Sequence, residues 1–174
     1  MKNAYRDCYN LIGTAVCGDK VINMYGAYKN CQNLTTAVCG PNVTRMTYAY
    51  SGCTNLTAAV CGPNVTNMYL TYYNCTNLKG NTYFYSNNIR NVRNCFYNRN
   101  TSNRLNIYVH AGTTTNTTIM TTNSGSLVGT SITWTTDTAN NCRYNTARNI
   151  YIYYVTNVEA ARIANGDPDY MGNI

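Results

Sequence analysis

Little of this chain is charged: Asp, Glu, Lys and Arg supply 11% of its 174 residues, less than half the share of about 25% in an average soluble domain. Networks of surface ion pairs are thereby excluded as a main source of stability, and the surface has to be wetted by amides and hydroxyls. There is one histidine, His110, and no Cys-x-x-Cys pair, which excludes the usual structural zinc spacings. Phosphate loops, nucleophile elbows and HExxH are absent from the sequence, so no motif calls for a metal, a cofactor or catalysis. His110 alone titrates near neutral pH, and it follows a strand-like run into a turn. Asp137 has no acidic neighbour, and Asp167 and Asp169 flank Pro168, a helix-stop pattern rather than a pair of catalytic carboxylates. No run approaches the ~18 apolar residues that a membrane-spanning helix needs. Residues 1–8 hold no apolar signal core, so nothing there directs the chain through a secretion channel.

What is present is equally lopsided. There are 18 tyrosines but 2 phenylalanines, and 9 cysteines. The formal charge is +7, with seven arginines from Arg90 onward. Such a charge favours anionic partners in general. The basic residues never form a run, however, so solubility accounts for the charge and no nucleic-acid partner is expected.

The chain repeats itself. Val21, Met24, Ala27, Tyr28 and Cys31 recur as Val43, Met46, Ala49, Tyr50 and Cys53, then as Val65, Met68, Thr71, Tyr72 and Cys75, always 22 residues apart. A fixed period of this size marks a solenoid whose units bury their apolar sides only against one another. An earlier copy from Cys8 to Val21 carries one extra residue between Leu11 and Val16, and Asp19 stands where later copies have Gly-Pro-Asn. Two cysteine rows follow: Cys8, Cys31, Cys53 and Cys75, and Cys17, Cys39 and Cys61. In-phase side chains run parallel and one row has three members, so these are expected to be buried thiols acting as small apolar residues rather than disulfides.

The pattern Val-x-x-Met-x-x-Ala-Tyr-x-x-Cys-x-x-Leu-x-x-Ala-x-Cys-Gly-Pro-Asn resembles the BspA-type leucine-rich repeat over about residues 4–112. In that family the corresponding positions read Val, Ile, Ala, Phe, Cys, Leu, Ile, Ile and Pro. Here Met replaces Ile, Tyr replaces Phe, and Cys17, Cys39 and Cys61 replace an apolar strand residue. The resemblance implies a repeat solenoid, mostly β and loop, of about four to five coils. Short parallel strands would lie at residues 34–39 and 56–61, ~4.8 Å apart, with Leu34, Ala37 and Cys39 pointing inward. Tyr5, Tyr28, Tyr50 and Tyr72 would stack in one ladder. Asn10, Asn33, Asn55 and Asn77 would form another, satisfying buried polar groups from coil to coil.

The fourth copy departs from the pattern. Residues 79–85 replace its Gly-Pro-Asn turn, Arg99 stands where the cysteine row would continue, and Cys95 is out of phase. Residues 104–112 read as the last strand and its turn, closing a repeat domain of residues 1–112. Residues 113–174 read as a mixed α/β cap. It comprises a Thr-rich helix or loop at 113–123, a strand at 131–135, a polar loop at 138–146, a strand at 149–155, and a short helix after an Asn157 N-cap that stops at Gly166. Met1 precedes Cys8 by the same seven residues that separate Met24, Met46 and Met68 from their cysteines. The first coil is therefore expected to be open, to be covered by a protein partner, an upstream segment or a second copy.

Repeated residues are structural ones, so a partner would be read where the copies differ. The candidates are Tyr25, Tyr48, Tyr69 and Tyr73 with Lys29 and Arg45. Exposed tyrosines offer broad, rigid contact area at small entropic cost. The expected function is a non-enzymatic binding or display module. BspA-type repeats are common in bacterial surface adhesins, and similar Tyr/Asn/Thr-rich versions occur in phage particles. That resemblance implies a virion appendage or cell-surface assembly that attaches to a host protein or glycan, made in the cytoplasm and working on a virion or cell surface. The alternatives are a purely architectural subunit and a carbohydrate- or ice-binding solenoid. The ice reading needs flat Thr arrays, whereas Thr36 aligns with Ala58.

Overall fold

The computed structural model describes residues 1–121, 127–129 and 133–167. Its first half is organised by two left-handed backbone positions per unit, four residues apart. Asn3, Gly26, Tyr48, Leu70 and Asn94 hold the first, and Asp7, Asn30, Gly52, Asn74 and Asn98 the second, all at positive φ. Gly, Asn and Asp tolerate this region. Gly26 and Gly52 are also required for space, because an added Cβ would lie 2.3 Å from Asn3 Oδ1 and 2.4 Å from Asn30 Oδ1.

Between these positions the backbone N–H groups alternate in purpose. Gly26, Tyr28 and Asn30 donate to Thr47, Ala49 and Ser51 of the next unit at 3.0, 2.8 and 2.7 Å, while Ala27, Lys29 and Cys31 close turns onto Met24, Gly26 and Tyr28. The next unit does the same, with Tyr48, Tyr50 and Gly52 donating to Tyr69, Thr71 and Tyr73. Each unit thus satisfies its own turns with half its donors and binds its neighbour with the rest, so the main chain is paired without long strands.

Inside lie Met24, Met46, Met68, Leu34, Leu56, Leu78, Val43 and Val65, all fully buried. Tyr5, Tyr28, Tyr50, Tyr72 and Phe96 stack in one column, with ring centroids 5.1, 5.5, 5.6 and 5.7 Å apart. All nine cysteines are free thiols. Cys31, Cys53 and Cys75 donate to the carbonyls of Tyr5, Tyr28 and Tyr50 at 2.9, 3.1 and 3.0 Å, so this row ties consecutive units together.

Strands are short here and longer further on. β1 (Gly13–Thr14) pairs in parallel with β2 (Leu34–Thr36). A second, open sheet has six strands. Its parallel part comprises β3 (Val60–Cys61), β4 (Gly80–Phe84), β5 (Leu105–His110) and β8 (Ile150–Val155). Its antiparallel edge is β7 (Cys142–Asn145) followed by β6 (Thr135–Asp137). The helices are α1 (Thr114–Thr121) and α2 (Val158–Ala164). The chain is mostly β and turn, with no closed barrel, and among the described residues no helix is long and apolar enough to cross a membrane.

Several expectations need correction. The strands anticipated at 34–39 and 56–61 shrink to Leu34–Thr36 and Val60–Cys61, and tyrosine hydroxyls bond the main chain at or beside them. Tyr50 Oη donates to Val38 O at 2.8 Å; Tyr72 Oη donates to Val60 O at 2.6 Å and accepts from Val60 N at 2.8 Å. Tyr28 does the same to Val16 O. The strand anticipated within 104–112 is β5, and the sheet continues past it, since β8 pairs with β5 in parallel along its whole length. The loop anticipated at 138–146 contains β7. The amide ladder of Asn33, Asn55 and Asn77 is exposed rather than buried, linked by bonds of 3.2 and 3.5 Å. Asn10 is not its first rung, because Asn33 Nδ2 donates to Tyr9 O instead. Cys8 is exposed, unlike every other cysteine, because a neighbour stacks on only one side of its unit. Of the strand anticipated at 131–135, residues 131–132 lie outside the described residues, as do 122–123 of the Thr-rich segment and the turn at Pro168 and Asp169.

Arg99 joins the two halves. It stands in the cysteine row and is 6% exposed. Its guanidinium donates to the carbonyls of Asn100, Asn103, Arg148 and Asn149. Burial pushes its pKa down to about 10, so it remains charged at neutral pH, with carbonyl dipoles as its counter-charge. α2 is fastened differently. Asn157 caps it through Ala160 N at 3.0 Å. Beyond its end, Asp167 accepts from Tyr83 Oη at 2.5 Å and Asn81 Nδ2 at 2.7 Å.

Candidate binding surface

The residue before each Met differs between units, and so does the place of the tyrosine ring. Asn23 and Asn67 each fold their Oδ1 onto the N–H two residues on, at 2.9 Å for Tyr25 and 3.0 Å for Tyr69, an Asx turn that sets the ring directly after the Met. Arg45 occupies the corresponding place in the middle unit, in the backbone row Asn23–Arg45–Asn67, and has no such carbonyl. There the ring is carried one residue later, by Tyr48, at the left-handed position with φ 56°.

This offset produces a zigzag. Tyr25 and Tyr48 meet edge to face at 5.9 Å, and Tyr48 and Tyr69 at 5.6 Å. Lys29 Nζ lies 5.1 Å from the Tyr48 ring centre and Lys2 Nζ 5.7 Å from that of Tyr25. Tyr73 stacks on Tyr97 at 5.4 Å. The five rings are half-buried. Burial raises the Tyr48 phenol pKa, and the neighbouring Tyr69 raises it further. Each edge-to-face pair contributes about 0.5–1.5 kcal/mol beyond burial, and each exposed cation–π contact about 0.5–1 kcal/mol.

Of the six residues singled out in the sequence, Tyr25, Tyr48, Tyr69 and Lys29 are therefore brought into contact. Tyr73 joins the same surface through Tyr97. Arg45 does not belong: its side chain is exposed, but no contact of the described residues links it to the rings. The sequence reading missed Tyr97. It also missed that Tyr48 and Leu70 adopt left-handed backbone (φ 56° and 55°) where other units place Gly or Asn, a conformation that costs a branched or bulky residue about 1–2 kcal/mol. The lack of Gly or Asn at this recurring position was the available signal.

Nothing else gathers catalytic groups. His110 is half-buried at the end of β5, and among the described residues no three of His, Cys, Asp and Glu come together. Burial raises the thiol pKa of Cys31 to about 11 and that of Cys39 to about 12, which makes them inert rather than nucleophilic. The chain matches no protein-family model, no curated protein and no solved structure.

Proposed function

We propose that this chain is a BspA-like leucine-rich-repeat solenoid serving as a non-enzymatic binding module, and that the Tyr25–Tyr48–Tyr69 belt with Lys29 is its contact surface for a protein partner. The observation that carries this reading is the retention of Tyr48 in left-handed backbone. A strained bulky residue at a half-buried place, where three other units use Gly or Asn and one uses the buried Leu70, is kept for its ring. Rigid aromatic groups with a cationic rim are the composition of interface hot spots. The setting we favour is a virion appendage or cell-surface assembly that holds the module against a host.

The test uses the full chain immobilised on beads and a panel of intact bacterial cells. Wild type should retain cells of at least one strain, and the double variant Tyr48→Ala/Tyr69→Ala, still folded by circular dichroism, should lose most of that retention. Equal retention by the two proteins, or none by either, overturns the reading.

A second reading, that of an architectural subunit, is favoured by a separate observation. Tyr5, Tyr9, Ile12, Val16 and Ile22 leave large apolar side chains exposed around the first unit, Ile12 at 75% and Val16 at 69%. A second copy, an upstream segment or another protein stacked there would bury them. A rise in molar mass with concentration in light scattering supports self-stacking; a constant monomer mass rejects it.

A further inference from the structure

The stacked units gather charge that the chain order scatters. The first left-handed residue of each unit is preceded by Lys2, Tyr25, Thr47, Tyr69 or Arg93, and the second by Arg6, Lys29, Ser51, Tyr73 or Tyr97. Lys29 lies against Tyr48, and Tyr48 against Tyr25 and Tyr69, so these two rows belong to the belt. Arg93 is placed as the rings are: its N–H donates to Asn91 Oδ1 at 3.0 Å, the same Asx turn that carries Tyr25 and Tyr69. Lys2, Arg6 and Arg93 are exposed, and Lys29 is half-buried.

No carboxylate balances this surface. The chain has no Asp or Glu between Asp19 and Asp137. Asp7 is held by Arg6 at 3.3 Å and by Asn30 Nδ2 at 2.7 Å, so that pair is neutral and Lys2, Lys29 and Arg93 carry the charge. Arg45, exposed in the backbone row beside the belt, adds to it without touching a ring. The rings of successive units are 5.1, 5.5, 5.6 and 5.7 Å apart, within the Debye length of about 8 Å at physiological ionic strength. The cations of neighbouring units therefore sum to a positive potential rather than being screened from one another.

Charge of one sign calls for an anionic partner, and the rings select its kind. Single-stranded nucleic acid binds by stacking its bases on open aromatic faces. In the belt those faces meet one another and the lysines. Tyr73 lies on Tyr97 with 8° between the planes, Tyr25 and Tyr69 meet Tyr48 edge to face, and Lys2 and Lys29 stand over Tyr25 and Tyr48. Phenol, ammonium and guanidinium groups all donate hydrogen bonds, and the charged acceptors of a polypeptide are carboxylates. Tyr and Arg are also the residues enriched where proteins meet proteins. We infer that the partner of the belt is a protein with an acidic contact surface, whose carboxylates pair with Lys2, Lys29 and Arg93 around the tyrosine rings. This rests on the belt being the contact surface and adds the charge of what it contacts.

The experiment is fluorescence anisotropy of the full chain with a labelled oligoglutamate and a labelled oligothymidylate of equal length. Wild type should bind oligoglutamate the more tightly, with an affinity that falls as sodium chloride is raised. Lys29→Gln/Arg93→Gln, still folded by circular dichroism, should weaken this binding about tenfold, each charge contributing a factor of about three. Lys20→Gln/Lys79→Gln removes the same charge from exposed places outside the belt and should change it less than about twofold. Tighter binding of oligothymidylate, no binding of oligoglutamate, or equal losses in the two glutamine variants overturns the inference, the last because net charge alone would then be at work. Cell retention judges the belt separately: if Tyr48→Ala/Tyr69→Ala loses retention while oligoglutamate stays unbound, the belt stands and only its acidic partner falls.

Discussion

The units up to Cys75 and the sheet from Gly80 to Val155 are built from similar residues yet solve the problem of backbone pairing in different ways. In the first region the strands are two or three residues long, and a tyrosine hydroxyl of each unit bonds the backbone 12 residues earlier, at Val16, Val38 and Val60. In the second region the column residue is Phe96, which has no hydroxyl. Twelve residues before it stands Phe84, and the two rings meet at 6.2 Å. There β4 and β5 run for five and six residues and pair in full register. One extra oxygen on the column residue therefore accompanies a turn-rich stack, and its loss accompanies a continuous sheet.

The largest test of this contrast lies at its boundary. Arg99→Met keeps the volume but removes the guanidinium bonds to four carbonyls, of which Asn100 O and Asn149 O keep the backbone N–H groups of Asn103 and Leu105; each carbonyl bond left unmade costs about 1–3 kcal/mol. We expect a loss of at least about 3 kcal/mol in urea denaturation, with the two halves unfolding in separate transitions.

High pH should act next, and mostly on the repeats. Burial raises the pKa of eight thiols, among them Cys31 from about 9 to about 11 and Cys39 to about 12. The fold holds these groups neutral, so their contribution is complete below pH about 9 and is lost as the pH rises from there toward 12. A stability profile that stays flat from pH 8 to 11 would contradict this.

Tyr72→Phe leaves both the N–H and the C=O of Val60 unpaired, whereas Tyr50→Phe leaves only Val38 O. Losses of about 2–3 and about 1–2 kcal/mol are expected in that order, measured by denaturant midpoint. Smallest is Cys8→Ser, within about 0.5 kcal/mol of wild type. The same exposure makes Cys8 the one thiol of nine that a thiol reagent should modify in the folded protein.

How much could be read from the sequence follows the same division. The 22-residue period places Met46, Leu56, Tyr50 and Cys53 inside because every unit repeats the same environment, so position alone determines burial. Val38 and Val60 precede Tyr50 and Tyr72 by a constant 12 residues, but a spacing does not reveal that a hydroxyl bonds the backbone there. Past residue 80 the period fails and non-local contacts decide. The four carbonyls that hold Arg99 come from two segments about 50 residues apart. The Asp167 anchor reaches back 84 residues to Tyr83. The second strand of the hairpin, β7, hides in a polar stretch because only its pairing with β8 makes it a strand. Within the candidate surface, difference between copies pointed to Tyr25, Tyr48, Tyr69 and Lys29, and it also pointed to Arg45, because variation shows where a residue is free to change without showing which way its side chain faces.

The most direct test of the hydroxyl bonds that set the two regions apart is amide hydrogen exchange at Val60 in wild type and in Tyr72→Phe. The account predicts strong protection of this amide in wild type and its loss in the variant, while Tyr83 and Phe84 in β4 keep theirs. Equal protection of Val60 in the two proteins would contradict it.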